Sequence, residues 1–101
     1  MKHLITQNMI DIHLLKGYLT EDGKFDRMPG KKQKKKLAIM LEYLAQQFEI
    51  GKKYSEMEVN EILNRHHTFK DPATLRRLLF TSHLIDRTLD GRSYWLTDES
   101  K

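Results

Sequence analysis

A mainly α fold closed by a small antiparallel β-hairpin is predicted by three local signals in the 101-residue chain. Ser55-Glu-Met-Glu58 is a capping box at the start of one helix. Asp71-Pro72, a cap followed by proline at the first helical position, starts another a short connection later. Asp90-Gly91 separates two short apolar runs, a strong two-residue hairpin signal.

The first helix is expected over residues 8–19. Asn8 can cap it, and Met9, Ile12, Leu15 and Leu19 form one apolar stripe. Ile10, Leu14 and Tyr18 form a second stripe, so this helix needs two neighbours. Either a small core wraps it or a second subunit covers Ile10, Leu14 and Tyr18. Residues 20–30 are a loop with a turn at Asp22-Gly23 and a breaker at Pro29-Gly30, anchored by Phe25 and Met28.

The longest helix is expected over residues 31–48, with Leu37, Met40, Leu41, Leu44 and Phe48 on one stripe. Residues 49–54 form a short connection or strand. The capping-box helix runs to about His66 with Val59, Ile62, Leu63 and His66 inward. The next, from Asp71 to about Ser82, turns Leu75, Leu78 and Leu79 inward. A helical wheel places Arg77 opposite that stripe, with Ala73, Thr74 and Thr81 on the same outer side. Arg76 falls at the flank, where a carboxylate can pair with it, and Asn60 suits a buried hydrogen-bonding role. The hairpin comprises Leu84–Leu89 and Arg92–Leu96, with Arg87 across from Tyr94, Ile85 across from Leu96 and Arg92 at the tip.

Two adjacent helices followed at once by a basic-tipped hairpin give the layout of a winged helix-turn-helix with an added N-terminal helix. The expected organisation is a helical extension over residues 1–18 and one compact winged-helix unit over 19–101.

Composition narrows the function classes. The chain is 39% apolar and 32% charged, with seven Gly and Pro in total, so collagenous and low-complexity readings fail. No apolar run approaches the ~18 residues of a membrane span. Cysteine is absent, which removes disulfides, thiol catalysis and Cys-ligated zinc. No secretory pattern opens the chain, and a cytoplasmic location is expected.

The charge is unevenly placed. Residues 27–36 hold six of the 18 basic residues and no acid, so the remaining 91 residues are slightly acidic. Such a block is either a solubilising patch or a phosphate-binding feature. Lys31, Lys32, Lys34, Lys35 and Lys36 lie at the start of the expected helix, the electropositive end. Each misplaced cation there costs a few tenths of a kcal/mol or so. A bound polyanion would reverse that penalty, which favours phosphate binding.

Chemistry-bearing constellations are sparse. His66 and His67 are adjacent on a helical reading and point about 100° apart, so they do not converge on one ion. The expectation is a partly buried His66 and a solvent-facing His67. His3, His13 and His83 lack metal-binding spacing. No catalytic triad spacing, Gly-rich phosphate loop or nucleophile elbow occurs. No enzyme activity, cofactor or metal is therefore expected. Tyr94 and Trp95 can stack on bases, but on a short terminal strand they read first as core caps.

Several segments resemble a known family. Met28-Pro-Gly-Lys-Lys32, Leu41-Glu-Tyr-Leu44 and Phe48-Glu-Ile-Gly-Lys-Lys-Tyr54 carry the first half of the likeness. Ser55-Glu-Met-Glu-Val-Asn-Glu-Ile-Leu63, Ala73-Thr-Leu-Arg-Arg77 and Asp90-Gly-Arg-Ser-Tyr-Trp95 carry the second. Together they resemble the prokaryotic domain-of-unknown-function family 2087 from about Leu19 to Leu96. Residues 1–18 lie outside the likeness. The resemblance implies a domain found alone or attached to helix-turn-helix transcriptional regulators. It matches a basic stretch to Lys31–Lys36 and paired arginines to Arg76 and Arg77, and implies no catalytic residues.

The functional expectation is a DNA-binding transcriptional regulator. Lys31, Lys32, Lys34, Lys35 and Lys36 contact phosphate. Thr74, Arg77 and Thr81 face the major groove, and Arg92 touches backbone from the wing. A homodimer through Ile10, Leu14 and Tyr18, or through Ile39 and Tyr43, is a possible assembly. Two alternatives stay open: a protein-interaction module using Phe80, Ile39 and Tyr43, and an RNA-binding domain.

Overall fold

The computed structural model describes residues 12–97. A 3₁₀ helix, Ile12–Tyr18, is followed by helices α1 (Lys34–Ala45), α2 (Glu56–Asn64) and α3 (Pro72–Thr81). Strands β1 (Ile85–Arg87) and β2 (Tyr94–Leu96) follow. The fold is mainly helical with an antiparallel hairpin and has a winged-helix-like order of elements.

The 3₁₀ helix corrects the α-helix expected over 8–19. Leu15 has non-helical angles (φ −106°, ψ 16°), a kink that breaks the regular i, i+4 ladder. Asn8, Met9 and Ile10, including Ile10's share of a dimer face, lie outside the described residues. Leu15 is fully buried with the residues of the helices, so this segment belongs to the same core as the rest. Leu14 is half-exposed and Tyr18 partly buried.

Phe25 plugs the core from the following loop. Its flanks are held by backbone pairing rather than by helix: Leu19 bridges Phe25, and Phe25 bridges His67. This second bridge corrects the reading of His67, while His66 is partly buried as expected. Asn64 ends α2, Arg65 and His66 turn out of it, and the chain then pairs with Phe25, whose N–H donates to His66 O and whose carbonyl accepts from Thr68 N–H, both at 2.8 Å. Extended residues alternate sides. His66 therefore faces Tyr43, ring centroids 6.1 Å apart, while His67 turns inward and is 4% exposed.

His67 then ties the corner between two helices. Leu63 O can only accept and Asp71 N–H can only donate. The 2.7 Å contact at Nδ1 and the 2.9 Å contact at Nε2 thus fix the Nδ1-protonated tautomer. One ring satisfies the end of α2 and the start of α3, and packs on Phe69.

Helix α1 begins at Lys34, not Lys31. Gln33 N–H donates to Gly30 O at 2.9 Å, so the turn after Pro29 consumes residues 30–33. Lys31 and Lys32 therefore precede the helix. It ends at Ala45, where 3₁₀-type bonds from Gln47 and Phe48 tighten the last turn. Met40, Leu41 and Leu44 are buried as the stripe requires.

The Ser55–Glu58 capping box closes reciprocally, and Asp71 caps α3 through Thr74 N–H. Val59, Leu63, Leu75 and Leu79 are fully buried between these helices. Helix α3 ends in a Schellman arrangement. His83 N–H donates to Phe80 O and Leu84 N–H to Leu79 O, with His83 left-handed at φ 65°.

The hairpin register is as the turn dictates: Ile85 opposes Leu96 and Arg87 opposes Tyr94. Both strands are shorter than expected. Thr88 and Ser93 close a four-residue loop in which Gly91 takes φ 72°. The Asp90 carboxylate and Thr88 hydroxyl hold the loop through Arg92 N–H, which removes the two-residue turn. Tyr54 adds a rung on the far side of β2, exchanging two 2.8 Å bonds with Tyr94.

Candidate functional site

The side chains of α3 and the hairpin meet at a cleft of about 240 Å³ lined by Ala73, Arg76, Arg77, Phe80, Arg87 and Tyr94. Its lining holds three guanidinium groups and no carboxylate. The α3 start fixes Arg76 and Arg77 on successive wheel positions, and the hairpin register brings Arg87 beside Tyr94.

The three arginines are held differently. Arg76 donates through Nη1 to Asn60 Oδ1 and lies 3.7 Å from Glu56 Oε2, so α2 clamps it from behind. Arg87 stacks on Phe80, with Cζ 4.6 Å from the ring centroid, and donates through Nη1 to Thr88 O at 3.2 Å. Arg77 is exposed and makes no hydrogen bond or ion pair among the described residues. A guanidinium carries five N–H donors, so all three retain unspent donors.

The other expected contacts divide into three places. Thr74 is partly buried, and its hydroxyl and N–H hold the Asp71 carboxyl below its ordinary range. Thr81 donates its hydroxyl to Leu78 O at 3.3 Å and lines a second cleft with Asp86, beyond Phe80 from the arginines. Thr81 lies one turn along α3 from Arg77, at i, i+4, so the two stay on one face of the helix. Arg92 stands at the wing tip, 86% exposed, with Asp90 3.7 Å away. The Thr88 hydroxyl, then Arg92 N–H, keep the Asp90 carboxyl charged to lower pH than usual.

Lys31, Lys32, Lys34 and Lys35 are exposed and make no hydrogen bond or ion pair among the described residues. Lys36 is partly buried, with Nζ 5.5 Å from the Tyr18 ring centroid. Helix α1 starts with neither an acidic residue nor a side-chain cap. Its positive end thus carries three lysines with no local compensation. Among the described residues, no hydrogen bond, ion pair or ring contact joins this block to α3 or the hairpin.

The chain matches, over residues 24–96, the family described as an uncharacterized protein conserved in bacteria, DUF2087. The chain belongs to that family. Neither the curated proteins nor the solved structures gave a match. The DUF2087 region contains the lysine block, all of α1 to α3 and the whole hairpin, so every residue of the arginine cleft lies within it. Among the described residues no cluster of three or more His, Asp or Glu could hold a metal ion. None of the described helices is long and apolar enough to cross a membrane.

Arg76 and Arg87 are the site residues that sequence reasoning did not select. The wheel put Arg76 at the flank of α3, and the register put Arg87 beside Tyr94. Only the packing of the hairpin on α3 converts those two placements into one cleft.

Proposed function

We propose that this domain binds duplex DNA as a winged-helix protein and serves as a transcriptional regulator. In this reading α3 approaches the major groove with Thr74, Arg77 and Thr81, while Arg92 and the lysines Lys31, Lys32, Lys34, Lys35 and Lys36 contact phosphate. The supporting observation is grouping: Lys31, Lys32, Lys34 and Lys35 stand exposed within five residues of chain, without a hydrogen-bond or ion-pair partner among the described residues, and Arg77 is likewise exposed and unpartnered on α3. Structural cations are ordinarily paired or dispersed, whereas counterion release makes grouped, free cations productive on a polyanion.

The protein-interaction alternative relied on Phe80, Ile39 and Tyr43 standing free. All three are partly buried and packed on the core. Tyr43 makes an edge-on contact with Phe25 at 5.7 Å, and Phe80 is covered by Arg87. These residues are spent within the fold, which weighs toward nucleic acid. Between nucleic acids, a helix fits the wide major groove of B-DNA and not the narrow one of duplex RNA.

The test is fluorescence anisotropy of a labelled mixed-sequence DNA duplex at low salt, beside an RNA duplex of matching sequence. Saturable DNA binding, weakened when Arg77→Gln and Arg92→Gln are combined, supports the proposal. No binding by the wild-type chain, or tighter binding to RNA, overturns it.

A further inference from the structure

The cleft between α3 and the hairpin has chemistry of its own. Three like charges converge on its lining without a carboxylate among them. Glu56, the acid 3.7 Å from Arg76, is 54% exposed and lies outside the lining. Mutual repulsion of grouped cations is unfavourable unless an anion sits between them.

Tyr94 supplies a second, independent observation. Its side chain is 5% exposed and forms part of the cleft wall. Its hydroxyl nevertheless makes no hydrogen bond among the described residues. No unpartnered side-chain N or O atom among the described residues is buried, so this O–H opens into the cleft, where an occupant can accept from it. A Cβ placed at Gly91 would sit 3.9 Å from both the Tyr94 hydroxyl and Arg87 Nη1, so these two donors share one wall of the cleft.

Size restricts the occupant. A pocket for a drug-sized ligand runs to roughly 300–1,000 Å³. At about 240 Å³ this cleft suits a single tetrahedral group rather than a whole nucleotide. Guanidinium forks match phosphate oxygens in planar, bidentate fashion.

We infer that this cleft is a phosphate site, in which Arg77, Arg87 and the Tyr94 hydroxyl donate to the oxygens of one phosphate group. Arg76, clamped by Asn60 and Glu56, supplies fixed positive charge at the back. The group comes either from the DNA backbone or from free phosphate, and only that choice of source rests on the DNA reading.

The experiment uses the full chain and inorganic phosphate, with sodium chloride at equal ionic strength as the control. Thermal denaturation and NMR of the arginine Nε–H groups report binding. The expected result is a saturable rise in Tm, with the largest shifts at Arg77 and Arg87. Tyr94→Phe keeps the buried ring and removes only the hydroxyl, and should weaken phosphate about tenfold, as expected for one hydrogen bond to a charged group. Arg77→Gln should do at least as much. Replacing Lys31, Lys32, Lys34, Lys35 and Lys36 with Gln should leave phosphate affinity unchanged.

No effect beyond ionic strength overturns the site, as does an effect lost with the lysines and retained in Tyr94→Phe. If Tyr94→Phe lowers DNA affinity in parallel and phosphate competes with DNA, the backbone is the source. If DNA affinity is untouched while phosphate binding falls, the site stands and free phosphate is the source. Phosphate binding without any DNA binding retains the site and removes the DNA reading. DNA binding that ignores both phosphate and Tyr94→Phe does the reverse.

Discussion

Arg76 and Arg77 are neighbours of identical chemistry in different environments, and replacing each with alanine should give unequal results. The Arg76 side chain is 18% exposed, donates to Asn60 across the α2–α3 contact and lies 3.7 Å from Glu56. Because Glu56 is half-exposed, the ion pair itself contributes only about 0–1 kcal/mol. The charged hydrogen bond to Asn60 contributes more, about 1.5–3 kcal/mol. Arg76→Ala should therefore cost roughly 2–3 kcal/mol, a fall in Tm on the order of 10–20 °C for a domain of this size. Arg77→Ala removes an exposed side chain without a hydrogen bond or ion pair among the described residues, and should change stability by no more than about 0.5 kcal/mol. Urea denaturation of both variants measures the difference. Adding Asn60→Ala completes a double-mutant cycle, in which Arg76 and Asn60 should couple by about 1 kcal/mol or more. Equal losses for the two arginines, or a coupling near zero, would refute the assignment of Arg76 to structure and Arg77 to binding.

Three further outcomes follow from the packing. His83 is left-handed at the end of α3, a conformation that costs a side-chain-bearing residue about 1–2 kcal/mol. His83→Gly should stabilise the domain by roughly 0.5–1 kcal/mol, after the greater chain entropy of unfolded glycine is discounted; a lower urea midpoint would contradict this. His67→Phe fills the same space but strands Asp71 N–H, at a cost of about 1–3 kcal/mol, while Leu63 O keeps its bond from His66 N–H; a variant as stable as wild type would show that the ring only fills volume. Burial, and then the nearby Arg65 and Lys24 charges, lower the pKa of His66 from its ordinary 6.5. A histidine so shifted contributes stability that is present above 6.5 and lost as pH falls from there toward the lowered value. Denaturation followed across that window should show a decline in wild type that His66→Gln reduces; identical pH profiles would remove His66 from the account.

Much of this fold is written in local sequence. The capping box at Ser55 and the Asp71-Pro72 start act within a few residues and formed where they were expected, and Asp90-Gly91 fell inside the hairpin loop. The hairpin register followed from the turn alone, even though the loop closed one residue further out on each side. Long-range pairing was not legible. Nothing around His67 announces that Phe25, more than forty residues earlier, draws it into an extended bridge and turns its ring inward. The start of α1 was similarly misplaced, because lysine and glutamine are good helix formers and do not reveal that residues 30–33 are used in a turn. For the site, the wheel placed Arg77 outward and Arg76 toward a partner. The cleft needed the angle at which the hairpin packs on α3, a tertiary quantity with no counterpart in periodicity.

The central claim is that the free lysines act on a polyanion, and the salt dependence of DNA affinity tests it most directly. Each phosphate contact contributes about −0.9 to the slope of log affinity against log salt. If three or four of Lys31, Lys32, Lys34, Lys35 and Lys36 reach phosphate, replacing all five with Gln should reduce the magnitude of that slope by about 3. Folding should persist, since three of the five charges leave the positive end of α1. Preference among DNA sequences should barely change, because phosphate contacts position a protein without reading bases. Affinities of wild type and the Gln variant for a mixed-sequence duplex, measured across a salt series, should give two distinct slopes. Identical slopes would remove the lysine block from DNA binding and contradict the account.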